Sequence, residues 1–435
     1  MQSVVVWMAS FLAGLVAVVY ARFFAFAERS CQVWFEYNPW LAFLVLPLFF
    51  VAAWWIVHSF APSARGSGIP QLMAAVELAN ANGKHLVGYF LGLRVLAVKM
   101  LSSLVLVLGG GASGREGPTL QIAASVFKVI HDVMPKNWPR VSERIMLMTG
   151  GAAGLSAAFN TPLGGIVFVV EELSKIHIAQ FRNFVFTGVI ISGMTAQWLN
   201  GSYLYLGYPK TGGGGMQVFA LTILIGVITG LGGVLFTKTV YGLAGLRDRI
   251  FGKRWLVLYV LLLGLAAAAM ACFLSPASLG SGKEQMTHFL FEHENAADIQ
   301  TVMARFLAPT LSFSSGAASG IFAPSLSAGA SMGAWVAQYF DLAKEQFNIL
   351  VLAGMTGFLA SVTRSPFTAA ILVLEMTDRH SVIFFLMLAA MMGYLVAFSM
   401  EKEGIYDRFK QDYLKAVRAT PPAPSTPAPV PPPSP

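Results

Sequence analysis

Charge is scarce in this chain. Lysine, arginine, aspartate and glutamate make up 11% of its 435 residues, against about 25% in an ordinary soluble domain. Cysteine is nearly missing too: Cys31 and Cys272 are too few for a disulfide framework, and neither stands at a metal-ligand spacing. The seven histidines are scattered and form no His-Glu-x-x-His arrangement. Neither a metal nor an organic cofactor is expected. The opening segment has no basic leader and no clear small-residue cleavage site, so it reads as a retained helix. A net charge of +8 would suit a nucleic-acid binder. The basic residues, however, fall in loops between apolar runs, where positive charge faces lipid headgroups, and no nucleic-acid partner is expected.

What is plentiful is apolar surface. Hydrophobic residues make up 56% of the chain, with a mean hydropathy of +0.65. Long apolar runs recur near 2–20, 39–60, 86–111, 183–200, 216–246, 254–275 and 380–400, several near the roughly 20 residues a membrane span needs. Shorter runs at 145–158, 163–172, 320–336, 349–360 and 366–376 are interrupted by Gly and Pro, and interrupted helices at membrane depth line binding sites or aqueous cavities. An all-α, multi-span membrane protein follows, with a transporter or channel interior. The stretch from about Thr420 is Pro-rich with almost nothing to bury and reads as a disordered tail. The expected division is a transmembrane domain over 1–415, with repeats at roughly 40–245 and 254–400, and a tail over 416–435.

Within this apolar setting, Gly109 to Pro118 places Arg115 and Glu116 side by side. Charge at membrane depth costs several kcal/mol and marks a functional site. The glycines permit close backbone approach, and Pro118 suits the first turn of a helix whose free N–H groups and positive dipole end attract an anion. They attract chloride and the Glu116 carboxylate alike, so a mobile anion and a fixed one compete for one place. Lys99 is a second basic group inside an apolar run. Arg115 and Lys99 both raise the local positive potential.

An internal repeat sharpens this reading. Ala112-Ser113-Gly114 lines up with Ala318-Ser319-Gly320, an offset of 206 (320 − 114). Downstream, Gly151-Ala152-Ala153-Gly154 precedes Pro162 and Glu171 as Gly354-Met355-Thr356-Gly357 precedes Pro366 and Glu375, at offsets of 203 (354 − 151) and 204 (366 − 162). Two structural repeats with a site at their interface are the architecture expected of a transporter. A dinucleotide fingerprint is matched by letter at Gly109, Gly111 and Gly114, but no strand precedes it. A phosphate loop fails because Arg115 and Glu116 stand where Lys and Ser/Thr are needed. An intramembrane hydrolase built on Ser113 and the distant His288 is a remote alternative that the repeat does not anticipate, and the chain is not expected to be an enzyme.

Three segments, Gly66-Ser67-Gly68-Ile69-Pro70, Gly114-Arg115-Glu116-Gly117-Pro118 and Gly320-Ile321-Phe322-Ala323-Pro324, resemble in order the signatures of the CLC family of chloride channels and chloride/proton exchangers. Tyr406 follows in a last amphipathic segment. The resemblance covers roughly residues 1–415 and implies a homodimer with one pore per subunit, each subunit made of two antiparallel halves of tilted helices. It implies chloride ligation by Ser67, by the Ile321 and Phe322 backbone N–H groups and by Tyr406, with Glu116 as a gate that links proton uptake to anion movement. Glu172, the second of the paired acids after Pro162, resembles the inner proton-transfer glutamate of family exchangers, and Glu171 its structural neighbour at a helix end. The favoured function is chloride/proton exchange, and the alternative is a passive chloride channel. Ser67 stands where nitrate-selective relatives carry proline, which points to chloride. Gln71 stands where an acid is common. A bacterial inner membrane is the expected location, while charge alone leaves the orientation open: Arg247, Arg249, Lys253 and Arg254 form one basic cluster, and Lys402, Arg408, Lys410, Lys415 and Arg418 another.

Overall fold

A computed structural model describes residues 2–79, 83–135, 137–138, 140–173, 182–201, 204–250, 252–292 and 297–419; the Pro-rich tail from Thr420 lies outside them. The first half runs α1 Gln2–Tyr37, α2 Ala42–Phe60, α3 Ile69–Leu78, α4 Lys84–Phe90, α5 Leu93–Leu108, α6 Glu116–Val133, α7 Glu143–Phe159, α8 Pro162–Phe168, α9 Arg182–Asn200 and α10 Met216–Arg249. The second runs α11 Lys253–Ala269, α12 Lys283–Phe291, α13 Ile299–Ser314, α14 Phe322–Ala337, α15 Lys344–Thr363, α16 Pro366–Thr377, α17 Ile383–Met400 and α18 Ile405–Ala419. Among the described residues there is no β-sheet, only two isolated bridges. Helices satisfy their own backbone groups, which hydrocarbon requires. Among the described residues, seven helical segments are long and apolar enough to cross a membrane, including Ser3–Tyr37, Met216–Arg249 and Arg254–Leu274.

Residues 86–111 fall on the candidate span Lys84–Leu108, within which the α-helix is interrupted at Leu91 and Gly92, between α4 and α5. The structure corrects the reading of other runs. Glycine does not interrupt 145–158 or 349–360, which lie inside the unbroken helices α7 and α15. The glycines serve packing instead. A Cβ on Gly354 of α15 would collide with the Gly329 carbonyl oxygen of α14, one on Gly333 of α14 would lie 2.5 Å from the Leu350 carbonyl of α15, and one on Gly154 of α7 would lie 2.8 Å from Ala123 Cβ of α6. Small residues let membrane helices touch backbone to backbone, and the same close pairing, α6 on α7 and α14 on α15, recurs in both halves.

The real breaks fall at matching places. Asn160 and Arg364 take the left-handed conformation, with φ of 58° and 70°, and each ends a helix two residues before a proline that starts the next, Pro162 and Pro366. The acids after those prolines then cross over. Glu171 accepts from the Phe367 and Thr368 amides (3.1 and 2.7 Å) at the start of α16, and Glu375 accepts from the Leu163 and Gly164 amides (3.0 and 2.6 Å) at the start of α8. Each half caps the orphan donors of the other, and the carboxylates meet the positive ends of the helix dipoles. Such reciprocity is what a two-fold relation between the halves produces.

Both basic clusters converge on one side. Arg247 pairs with Asp248 (2.9 Å), Asp248 with Arg65 (3.4 Å), and Arg65 lies over the ring of Tyr413 on α18 (5.2 Å). Arg408, Lys410 and Arg418 sit on that same helix.

Candidate anion site

Four helices begin near the centre: α3, α6, α14 and α18. Two backbone bridges tie their entry loops together. Gly66 N–H donates to Ala317 O (2.8 Å) and Ser319 N–H to Gly66 O (3.0 Å), while Gly114 N–H donates to Gly320 O (2.9 Å). Ser113, the imagined nucleophile, accepts from Gly320 N–H (3.0 Å), whereas His288 pairs with Glu292 at the surface (3.2 Å); no nucleophile and base are assembled. Glycine is obligatory at 68, where φ is +103° and a Cβ would sit 2.9 Å from Gln121. At Gly117, any side chain would displace the Ser67 hydroxyl.

These loops bring Ser67, Ile321, Phe322 and Tyr406 together, each no more than 1% exposed. The first-turn N–H groups of a helix have no intrahelical partner, and those of α3, α6 and α14 are gathered here. The Ser67 and Tyr406 hydroxyls are neighbours, yet neither has a partner that meets hydrogen-bond geometry. Buried hydroxyls are normally satisfied. Two such hydroxyls beside three helix N-termini make a set of donors that can accommodate an anion.

Glu116 is fully buried at the first position of α6. One carboxylate oxygen accepts from the Tyr205 hydroxyl (3.2 Å); the other has no hydrogen-bond partner and lies against Gly114. No salt bridge joins Glu116 to Arg115 among the described residues. The Arg115 guanidinium instead reaches the carbonyls of Ala21 (3.3 Å) and Ala158 (3.4 Å). Lys99, fully buried, donates to the carbonyls of Ala64 (2.9 Å) and Gly66 (2.7 Å), placing its ammonium directly behind the Ser67 loop.

Glu172 accepts from the Ser365 hydroxyl. It lines, with Phe168, Phe322, Thr363, Thr368 and Tyr406, a narrow crevice too tight to seat a water molecule. Glu172 and Tyr406 therefore line one narrow gap. Asp407 and Lys410 of α18 lie within electrostatic reach of Glu172, on the side where the basic clusters gather. Glu116 faces the other way, toward Tyr205, Lys283 and Glu28.

Gln71 acquires a role that the sequence leaves open. Its carbonyl accepts from Gly68 N–H (3.1 Å), and its amide donates to Ser63 O (3.2 Å) and Arg65 O. An ionised acid has no proton to donate to those carbonyls, so the amide suits this loop. Among the described residues, one cluster has ligand-like spacing, His131, Asp132 and Glu143. Lys128 already lies between its acids, 2.5 Å from Asp132 and 3.3 Å from Glu143.

Sequence reasoning missed Tyr205. It stands on an irregular segment after α9 with no motif around it, and only its contact with Glu116 reveals it.

The sequence model of the family described as Voltage gated chloride channel matches residues 48–398. The H(+)/Cl(-) exchange transporter ClcA of Klebsiella pneumoniae is 30% identical over 425 residues, spanning 93% of this chain and 87% of that protein. The fold is similar to a slow cyanobacterial Cl-/H+ antiporter (TM-score 0.81, 22% identity, 95% of this chain and 98% of that one). It also resembles a CLC-type fluoride/proton antiporter (TM-score 0.76, 20% identity, 93% and 96%) and a eukaryotic CLC transporter (0.73, 19%, 95% and 74%).

Proposed function

This chain belongs to the voltage-gated chloride channel family, and on that premise we propose that it exchanges chloride for protons across a membrane, with Glu116 as the gate. The observation that carries the reading is the central cluster of helix N-termini with two hydroxyls that lack a hydrogen-bond partner, adjoining the buried Glu116 carboxylate, which the Tyr205 hydroxyl contacts. Ser67, Tyr406 and the Ile321 and Phe322 N–H groups hold the anion. Ionised, Glu116 is itself an anion drawn to these helix ends; protonated, it loses that attraction and leaves the path free. Flux therefore rises as pH falls.

Glu172 relays protons on the opposite side of the anion site. What supports this is the crevice between Glu172 and Tyr406, together with the gathering of both basic clusters on the Glu172 side, which positive charge marks as cytoplasmic. The proton leaves the anion path because that path is lined by donors and positive dipole ends, which disfavour a second positive charge. Lys99 and Arg115 contribute positive potential without touching the ion. We assign the transmembrane domain to 1–415, place it in a bacterial inner membrane, and expect a homodimer with one pore per subunit.

The test is purified protein in liposomes under a chloride gradient with both ions followed. Chloride-driven uphill proton movement is expected; passive chloride conductance alone would give the channel reading.

Selectivity offers a narrower check. Ser67→Pro deletes the hydroxyl and the backbone N–H together. Hydrogen bonds to charged groups contribute about 1.5–3 kcal/mol each, so chloride preference over nitrate should drop by about tenfold or more. An unchanged chloride/nitrate permeability ratio would remove Ser67 from the ligand set.

A further inference from the structure

The Glu116 carboxylate touches one protein hydroxyl, and that contact comes from 89 positions along the chain. Tyr205 is 3% exposed and is held from three directions. Its neighbour Leu206 donates its N–H to Met376 O at the end of α16 (3.1 Å), its ring meets the edge of Phe159 at 5.0 Å, and Lys283 Nζ lies 4.6 Å from the ring centre with Arg115 at 5.9 Å. Two cations on its π-face draw electron density from the ring, which makes the phenol a better donor. The phenol is thus fixed and polarised before the carboxylate arrives.

We propose that Tyr205 is a positioning residue that latches the gate: its hydroxyl holds the ionised Glu116 in its resting place and lets go when the carboxyl takes a proton. The inference rests on the reading of Glu116 as the gate. A phenol donates more strongly to a carboxylate than to a neutral acid, so the contact stabilises the closed, ionised form selectively. At 3.2 Å it is also long for an O–H···O bond, which suits a clasp that opens in every cycle. The charged and titratable groups facing Glu116 are, besides Tyr205, Arg115 from the preceding loop, Glu28 and Tyr20 from α1, Tyr406 from α18, and Lys283 from α12, which faces it across Tyr205. None of the others donates a hydrogen bond to the carboxylate among the described residues.

Tyr205→Phe keeps the ring, its edge contact with Phe159 and its place under the two cations, and removes only the hydroxyl. Without the latch, Glu116 takes up its proton at a lower proton concentration. The midpoint of flux against pH should move upward by about one pH unit, equivalent to about tenfold in proton concentration, and flux at neutral pH should rise several-fold with proton coupling kept. The same replacement in a Glu116→Gln background should move nothing, because no titrating carboxyl is left to hold. If Glu116→Gln abolishes the pH dependence while Tyr205→Phe, folded and transporting, leaves the wild-type midpoint where it was, the latch is overturned and the gate stands. If Glu116→Gln itself leaves the pH profile intact, the gate reading fails first.

Discussion

Chloride transport by the Glu116→Gln variant should run without protons. Glutamine matches the glutamate in shape, so α6 and its loop remain in place, but the amide neither takes up a proton nor competes as an anion for the helix ends. Loss of a positioned proton-transfer group typically costs about 10²-fold or more, and uphill proton pumping on a chloride gradient should fall to background while chloride flux persists and loses its pH dependence. The structure sharpens this expectation. No ion pair to Arg115 is broken by the change, because that guanidinium is bound to the Ala21 and Ala158 carbonyls. Persisting proton pumping in the variant would end the assignment of Glu116.

Glu172→Gln should separate the two ions from the other side. The side chain accepts from Ser365, and the glutamine carbonyl can keep that bond, so packing around the crevice survives. On the proposed reading chloride reaches its site without passing Glu172, and its flux should stay within a few-fold of wild type. Proton movement should fall by about 10²-fold, as for any proton carrier replaced by a group that holds no exchangeable charge. The crevice is too tight for water in this conformation, so transfer needs it to open. A matched pair of variants at Glu171 and Glu172 makes the result specific. Glu171 caps α16, and Glu171→Gln should weaken the junction between halves and lower thermal stability while leaving coupling intact. If Glu171→Gln uncouples the protons and Glu172→Gln does not, the two roles are reversed.

Much of this protein was legible without coordinates, and for a local reason. A helix N-terminus that must face an anion needs glycine before it and proline inside its first turn, so Ser67, Glu116, Ile321 and Phe322 sit in segments whose letters report their backbone geometry. Low charge and long apolar runs set the lipid environment, and the repeat offset of 204 paired Glu171 with Glu375 before their reciprocal caps were seen. The misread runs have a physical cause as well. Glycine in a helix signals either a break or a close helix contact, and only the neighbour across the gap, as Leu350 is for Gly333, decides which.

What the tertiary structure alone decided is which groups meet. Tyr205 reaches Glu116, Lys99 reaches the Gly66 carbonyl, Gln71 staples the loop before Ser67, and two basic clusters far apart in sequence share one side of the molecule. Periodicity and propensity describe how a residue relates to its neighbours within a turn or two. A buried donor, by contrast, takes whichever acceptor the packing of helices brings within about 3 Å, and that acceptor can lie far off in sequence, 33 positions away for Lys99 and Gly66 and 89 for Tyr205 and Glu116.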